Sequence, residues 1–304
     1  MTAYDSPIMA LRKVDTRTVL TPDGRTLMVE EGGDPAGLPI LVHGGTPNSR
    51  HMYGPWLEDA TQQGIRLISY DRPGYGGSTA QPGRSVADCA DDVRAIAQSL
   101  QLARLGVWGF SGGGPHAIAC AALLPNLVAA VSVIGSIAPY AAAGLDYFAG
   151  MGASNMDDIK LYLSDPATAR EKARQDRLDA LQRTLDNIGE RLKTLLTPVD
   201  RAALRDDLAA WMVLCATDGL AETDEGWWDD GVAHLAPWGF DFGTIAIPVQ
   251  VWHGRHDQFV PFQHGQWLAA HIPEAESHLS ETDGHLTLLN RVPEIHRWLV
   301  SHLA

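Results

Sequence analysis

Short apolar runs alternate with helical patterns through the N-terminal third of the chain, and this alternation is the signature of a parallel sheet covered by helices on both faces. Residues 17–20 and 25–31 flank Pro22-Asp23-Gly24, which signals a hairpin turn. Residues 39–42 then form a short buried strand that ends at His43-Gly44-Gly45. Asn48 or Ser49 is placed to cap a helix carrying Met52, Trp56 and Ala60 on one face, and residues 65–70 read as the next strand. Ser85-Val86-Ala87-Asp88 has the form of a capping box ahead of a helix lined by Val86, Ala90, Val93, Ala97 and Leu100. Residues 105–108 are strand, residues 117–124 helix and residues 128–134 strand.

There the rhythm stops. Residues 136–242 are mostly helical in pattern, with Leu178, Leu181, Leu185, Ile188, Leu192 and Leu195 recurring as an amphipathic stripe. Packing on its own domain is the first use of such a stripe, and a homodimer seam is the rival use. A further helix is expected to start at Thr197-Pro198-Val199-Asp200, with proline in its first turn. Strand character returns at residues 247–252, followed by a helix with Trp267, Leu268 and His271, a weak strand near His278 and Leu279, and a last helix with Leu289, Val292, Ile295 and Leu299. The expected organisation is therefore a core of residues 1–135 and 243–304 with residues 136–242 inserted as a helical cap. Such a cap would roof a cleft at the carboxyl ends of the strands.

Gly109-Phe110-Ser111-Gly112-Gly113 matches G-x-S-x-G and stands between an expected strand and an expected helix, where that pattern places a nucleophilic serine. A hydroxyl needs a base to take its proton. Among 12 histidines, His285 in Asp283-Gly284-His285 is the candidate, because it lies on a loop between the last strand and the last helix. His43 reads as a structural hydrogen-bonding group and His116 as a packed residue. Asp257, just beyond the strand at residues 247–252, is the acid expected to orient His285, with Asp283 as a rival. The order Ser, Asp, His fits this architecture. His253, His256 and Asp257 are a poor fit to a metal site, since they fall on a strand-to-loop turn with no second ligand cluster. A tetrahedral intermediate needs two amide donors for its oxyanion. Gly112 supplies one and Gly45 the other, with Thr46 as second choice for the latter.

These segments, with Asp71-Arg72-Pro73-Gly74-Tyr75-Gly76-Gly77-Ser78 between them, resemble in order the landmarks of the α/β-hydrolase superfamily. The resemblance implies a mostly parallel eight-stranded sheet, a helical cap after the sixth strand, a triad of Ser111, Asp257 and His285, and no cofactor. Haloalkane dehalogenases and epoxide hydrolases of this fold carry aspartate where Ser111 stands, so those activities are not expected. Proline iminopeptidases typically carry Gly-Gly-Ser at the nucleophile, which makes peptidase activity a minor reading. Hydroxynitrile lyases share the triad.

Composition narrows the partners. Lys and Arg total 23 against 37 Asp and Glu, a net charge of −14, which argues against nucleic acid and anionic membrane. The most apolar stretch, residues 127–145, is broken by Gly135, Pro139 and Gly144, so it does not read as a membrane span. Residues 1–14 lack the basic start and apolar run of an export signal, and Cys89, Cys120 and Cys215 have no close cysteine neighbour. A reduced, cytoplasmic protein is expected. Trp227, Trp228, Trp238, Phe240, Tyr140, Tyr147 and Phe148 offer either an apolar pocket or cap core, and Asp229-Asp230 reads as a helix-terminal or solvent-facing pair. The expected activity is hydrolysis of a carboxylic ester of a small to medium, largely uncharged small molecule. Lactone, carbon–carbon or amide hydrolysis, acyl transfer, and a slow-turnover ligand receptor are the alternatives.

Overall fold

Branched and aromatic residues fill the apolar runs and turn residues close them, so the runs become strands. The computed structural model describes residues 14–303, and residues 1–13, read above for an export signal, lie outside them. Strands β1 (Val14–Leu20) and β2 (Thr26–Gly33) form the hairpin across Pro22-Asp23-Gly24. Then follow β3 (Leu38–His43), α1 (Gly54–Gln62), β4 (Ile65–Tyr70), α2 (Cys89–Ser99), β5 (Leu105–Phe110), α3 (Gly114–Leu123) and β6 (Val128–Ile134). Six helices separate β6 from the next strand: α4 (Ala153–Ser164), α5 (Pro166–Leu181), α6 (Ile188–Arg191), α7 (Pro198–Ala203), α8 (Asp206–Gly219) and α9 (Glu225–Leu235). The chain closes with β7 (Val249–Gly254), α10 (Phe262–His271), β8 (Glu276–Ser280) and α11 (Val292–Leu303).

The eight strands form one sheet in the order β1-β2-β4-β3-β5-β6-β7-β8, with β2 antiparallel to both its neighbours and the other pairs parallel. The mostly parallel sheet expected from the sequence is what the chain forms. Strands β5 and β6 are buried at every position, as covering on both faces requires. On one face Ile96 of α2, Ile118 of α3 and Leu268 of α10 share a core; on the other Trp56 of α1, Trp211 of α8 and Leu299 of α11 share a second. Trp56 links three elements, its ring edge-on to Trp108 of β5 at 4.9 Å and to Trp211 at 5.0 Å. Register aligns His43 with Gly109, Gly109 with Val133, and Ile134 with Trp252, so the carboxyl ends of β3, β5, β6 and β7 meet at one edge.

Some local expectations change. Helix α1 begins at Gly54 with Pro55 in its first turn, so neither Asn48 nor Ser49 caps it. The Asp88 carboxylate accepts from Ser85 N (2.6 Å) and Oγ (2.9 Å), but the helix itself starts only at Cys89. The leucine stripe does not run along one helix. It ends with α5 at Leu181 and resumes at Ile188, which leaves Leu178 and Leu185 exposed while Ile188, Leu192 and Leu195 are buried. Helix α7 does begin at Pro198 after Thr197.

Candidate active site

Strand β5 runs directly into a helical turn, and Ser111 takes the first position with φ 54°, a left-handed conformation that side chains rarely adopt. The turn is possible only because its neighbours are bare. A Cβ on Gly109 would stand 2.5 Å from the Gly113 carbonyl oxygen, and one on Gly113 would stand 2.1 Å from that of His43. Strain at a serine on the sheet edge is a reason to look for function around it.

His285 follows β8 on a loop, and Asp257 follows β7. Their side chains meet at 2.6 Å, His285 Nδ1 to Asp257 Oδ2, with both residues buried. The other carboxylate oxygen of Asp257 accepts from Val260 N at 2.8 Å, which fixes its orientation. The imidazole lies between the rings of Phe110 and Phe259, each 4.7 Å away. Gly135, just past β6, gives the pair its space: a Cβ there would stand 3.0 Å from His285 Nδ1 and 3.4 Å from Asp257 Oδ2. With Nδ1 occupied by the carboxylate, the free ring nitrogen of His285 is Nε2.

A residue from the insertion completes this corner. Asp200 on α7 accepts backbone N–H bonds from His285 (2.9 Å), Leu286 (2.8 Å) and Thr287 (3.3 Å). Burial raises its pKa, against the opposing pull of those amides. In the sequence Asp200 is visible only as part of the helix start Thr197-Pro198-Val199-Asp200.

On the other side of Ser111 stands the loop after β3. A Cβ on Gly45 would lie 3.5 Å from Ser111 Cβ, and one on Gly112 would lie 2.4 Å from Thr46 Oγ1, so both amide candidates border the serine. Beneath them Arg72 donates to the carbonyls of Gly44 (2.5 Å) and Gly45 (2.8 Å). A cation on a peptide oxygen polarises that peptide, so the amides of Gly45 and Thr46 become better donors. Arg72 is itself held by Asp230 of α9, Nη2 to Oδ2 at 2.6 Å, and Arg84 takes Oδ1 at 2.6 Å. Burial works against the Asp230 charge, but the two guanidinium groups hold its pKa well below the ordinary range. Thr46 Oγ1 and the Tyr75 hydroxyl also donate to Oδ2, at 2.9 and 3.0 Å. His234 Nε2 and His116 Nδ1 both approach the Gly112 carbonyl, at 3.0 and 3.1 Å. Burial lowers the His234 pKa to about 4 and that of His116 well below its usual value.

Asp229 and Asp230 are thus buried, not solvent-facing or at a helix end, because α9 turns that face onto Arg72 and Arg84. Helical spacing carried the signal: Gly226, Asp230 and Ala233 lie on one side of α9 and are all buried. Asp283, the rival acid, pairs with Arg291 at 2.8 Å and stays away from the His285 ring. His43 is buried against Tyr70 and Cys120, and His116 is packed as described. Two groups among the described residues bring metal-ligating atoms within 4.8 Å: His43, Cys89 and Cys120, and His116, Asp230 and His234. In the second, Arg72 and Arg84 already take the carboxylate oxygens. His253 bonds Val260 O at 2.8 Å and approaches Asp257 at 3.5 Å, and burial lowers its pKa.

Ser111, Gly45, Gly112 and His285 line one cavity of about 280 Å³, whose remaining wall comes largely from α4, α5, α8 and α9. Of the aromatic residues singled out in the sequence, Trp227 and Tyr147 line it. Trp228 stacks on Tyr162, and Trp238 and Phe240 pack in the core. Among the described residues no helix is long and apolar enough to cross a membrane.

A family model described as the alpha/beta hydrolase fold matches residues 39–292. The AB hydrolase superfamily protein YisY of Bacillus subtilis is 28% identical over 272 residues, 88% of this chain and 91% of that protein. A 2-hydroxy-6-oxononadienedioate/2-hydroxy-6-oxononatrienedioate hydrolase of Cupriavidus pinatubonensis is 24% identical over 306 residues, 97% of this chain and 98% of that one. Among solved structures, an esterase of Thermogutta terrifontis superposes with a TM-score of 0.68 at 20% identity, covering 95% of this chain and 100% of the other. An enol-lactonase of Burkholderia xenovorans does so with a TM-score of 0.61 at 19% identity, covering 94% and 99%. With the family match running from β3 through the helical insertion to the loop of His285 and the start of α11, the chain belongs to the α/β-hydrolase family.

Proposed function

We propose that the protein is a serine hydrolase that cleaves a carboxylic ester, or a closely related acyl bond, of a small to medium molecule with a largely apolar body. The observation that carries this reading is Ser111, held at positive φ on the edge where the Asp257–His285 pair lies. Ser111 Oγ attacks the carbonyl carbon while His285 Nε2 takes its proton, and Asp257 stabilises the imidazolium through Nδ1. The amide of Gly112 and that of Gly45 receive the oxyanion. The imidazolium then protonates the leaving group. In the second half His285 draws a proton from water as it attacks the acyl carbon, and the imidazolium returns that proton to Ser111 Oγ as the bond to the serine breaks and the acid leaves. Residues 136–242 act as a cap over the core formed by residues 1–135 and 243–304, which limits substrate size and excludes water from the cavity.

The similarity to the Cupriavidus hydrolase over nearly the whole chain favours carbon–carbon bond hydrolysis as the second reading. A panel of p-nitrophenyl esters, lactones and vinylogous 1,5-diketones tests both. The wild type should hydrolyse a short ester, and Ser111→Ala should lose about three orders of magnitude or more in kcat. Full activity in Ser111→Ala would overturn the reading, and turnover of the diketones alone would move it to the second one.

A further inference from the structure

The cavity that holds Ser111 is also lined by a cation that makes no side-chain hydrogen bond or ion pair among the described residues. Arg183, just past the end of α5, lines this wall together with Lys172 and Asp176. Lys172 is satisfied, with Asp158 at 2.8 Å and Asp176 at 2.6 Å. Arg183 has no carboxylate within 4.0 Å and no side-chain hydrogen bond among the described residues, in contrast to Arg170 and Arg177 on the same helix, whose guanidinium groups bond Asp224 and the carbonyls of Leu220 and Ala221. Burial lowers its pKa and the nearby Arg191 pushes in the same direction, while Asp176, already bonded to Lys172, offsets them only in part. A half-buried guanidinium that no carboxylate bonds is left short of partners, and one that opens on a ligand cavity gains them when an anion arrives.

We infer that Arg183 is an anion-binding residue of the substrate cavity and that the substrate carries a carboxylate remote from its scissile carbonyl. This rests on the hydrolase reading above and refines the uncharged substrate expected from the sequence: the body is apolar and one end is anionic. The planar fork of arginine fits a carboxylate by two parallel N–H bonds, a geometry that lysine lacks. The apolar side chains of Leu192, Leu195 and Trp227 line the same cavity and suit the intervening chain.

Two measurements test it. In the first, p-nitrophenyl butyrate is compared with the p-nitrophenyl monoester of glutaric acid, in the wild type, Arg183→Gln and Arg183→Lys. The ratio of kcat/KM for the anionic over the neutral ester should fall about tenfold or more in Arg183→Gln and only in part in Arg183→Lys. An unchanged ratio overturns the inference. In the second, monomethyl glutarate is titrated by calorimetry into Ser111→Ala and into Ser111→Ala/Arg183→Gln, with folding checked by circular dichroism. Binding should weaken about tenfold in the double variant, and equal binding overturns the inference whatever happens to turnover. Binding that depends on Arg183 in a protein that hydrolyses neither ester would retain the anion site and reject the hydrolase reading.

Discussion

Asp200 on α7 and Asp230 on α9 belong to the same helical insertion and are both fully buried, yet the protein treats their charges in opposite ways. Asp200 is held by the neutral amides of His285, Leu286 and Thr287, and burial raises its pKa. Asp230 meets Arg72 and Arg84, and their charges outweigh burial and lower its pKa far below the ordinary range. Each carboxylate holds one half of the candidate site: the loop of His285 on one side, and Arg72 with the loop of Gly44 and Gly45 on the other. Amides satisfy a carboxylate without supplying a countercharge, so the first contact responds to pH. The second is an ion network that stays charged until a partner is removed.

The largest effect that would sharpen this contrast is the loss of Asp230. Asp230→Ala strands two buried guanidinium groups and should cost roughly 3–5 kcal/mol of stability in urea unfolding. A cost no greater than that of Asp200→Ala would erase the difference between the two regions. Asp200→Ala comes next, leaving amides without acceptors at a cost of about 1–3 kcal/mol. Because Asp200 positions His285 without touching substrate, kcat should fall about tenfold with KM little changed, and Asp200→Asn should restore part of it. A change confined to KM would assign Asp200 to substrate binding instead.

The smallest effect is a slope. The raised pKa of Asp200 contributes stability that is fully present below 3.8, its unfolded value, and is lost as pH rises through the folded value. Asp230 has the opposite sign: its contribution is present above 3.8 and is lost only as pH falls through its depressed folded value. His234, kept neutral by burial down to about 4, contributes stability present above 6.5 that is lost as pH falls toward 4. That last trend is common to the wild type and Asp200→Asn, so their difference isolates Asp200. As pH rises above 3.8 the wild type should lose ground to Asp200→Asn until the folded value is passed, by at most about 1.4 kcal/mol per unit. Parallel stability curves would show that Asp200 does not titrate with folding.

The same two regions separate what the sequence reveals from what it conceals. Gly109, Ser111 and Gly113 are legible because strand, turn and helix follow one another within a few residues. Asp257 and His285 are legible because each sits immediately after a strand, where a parallel sheet delivers its side chains to one edge. Asp200 and Asp230 act across the fold, at separations of 85 and 158 residues from His285 and Arg72. No local pattern encodes such a meeting. Asp230 had one available clue in the buried face of α9, whereas Asp200 sits where a helix start explains an aspartate equally well. Arg183 is still less legible, since what distinguishes it from Arg170 and Arg177 is the lack of a partner, and only coordinates display that.

The bonds from Asp200 to the backbone of His285 also bear on timing. If α7 lifts from the core, the loop that carries His285 loses its support, so helix and imidazole are disengaged together. On the hydrolase reading proposed above, a molecule bound with α7 displaced would meet an incomplete site, so the carboxylate that gives the loop its shape would also set when the site can work.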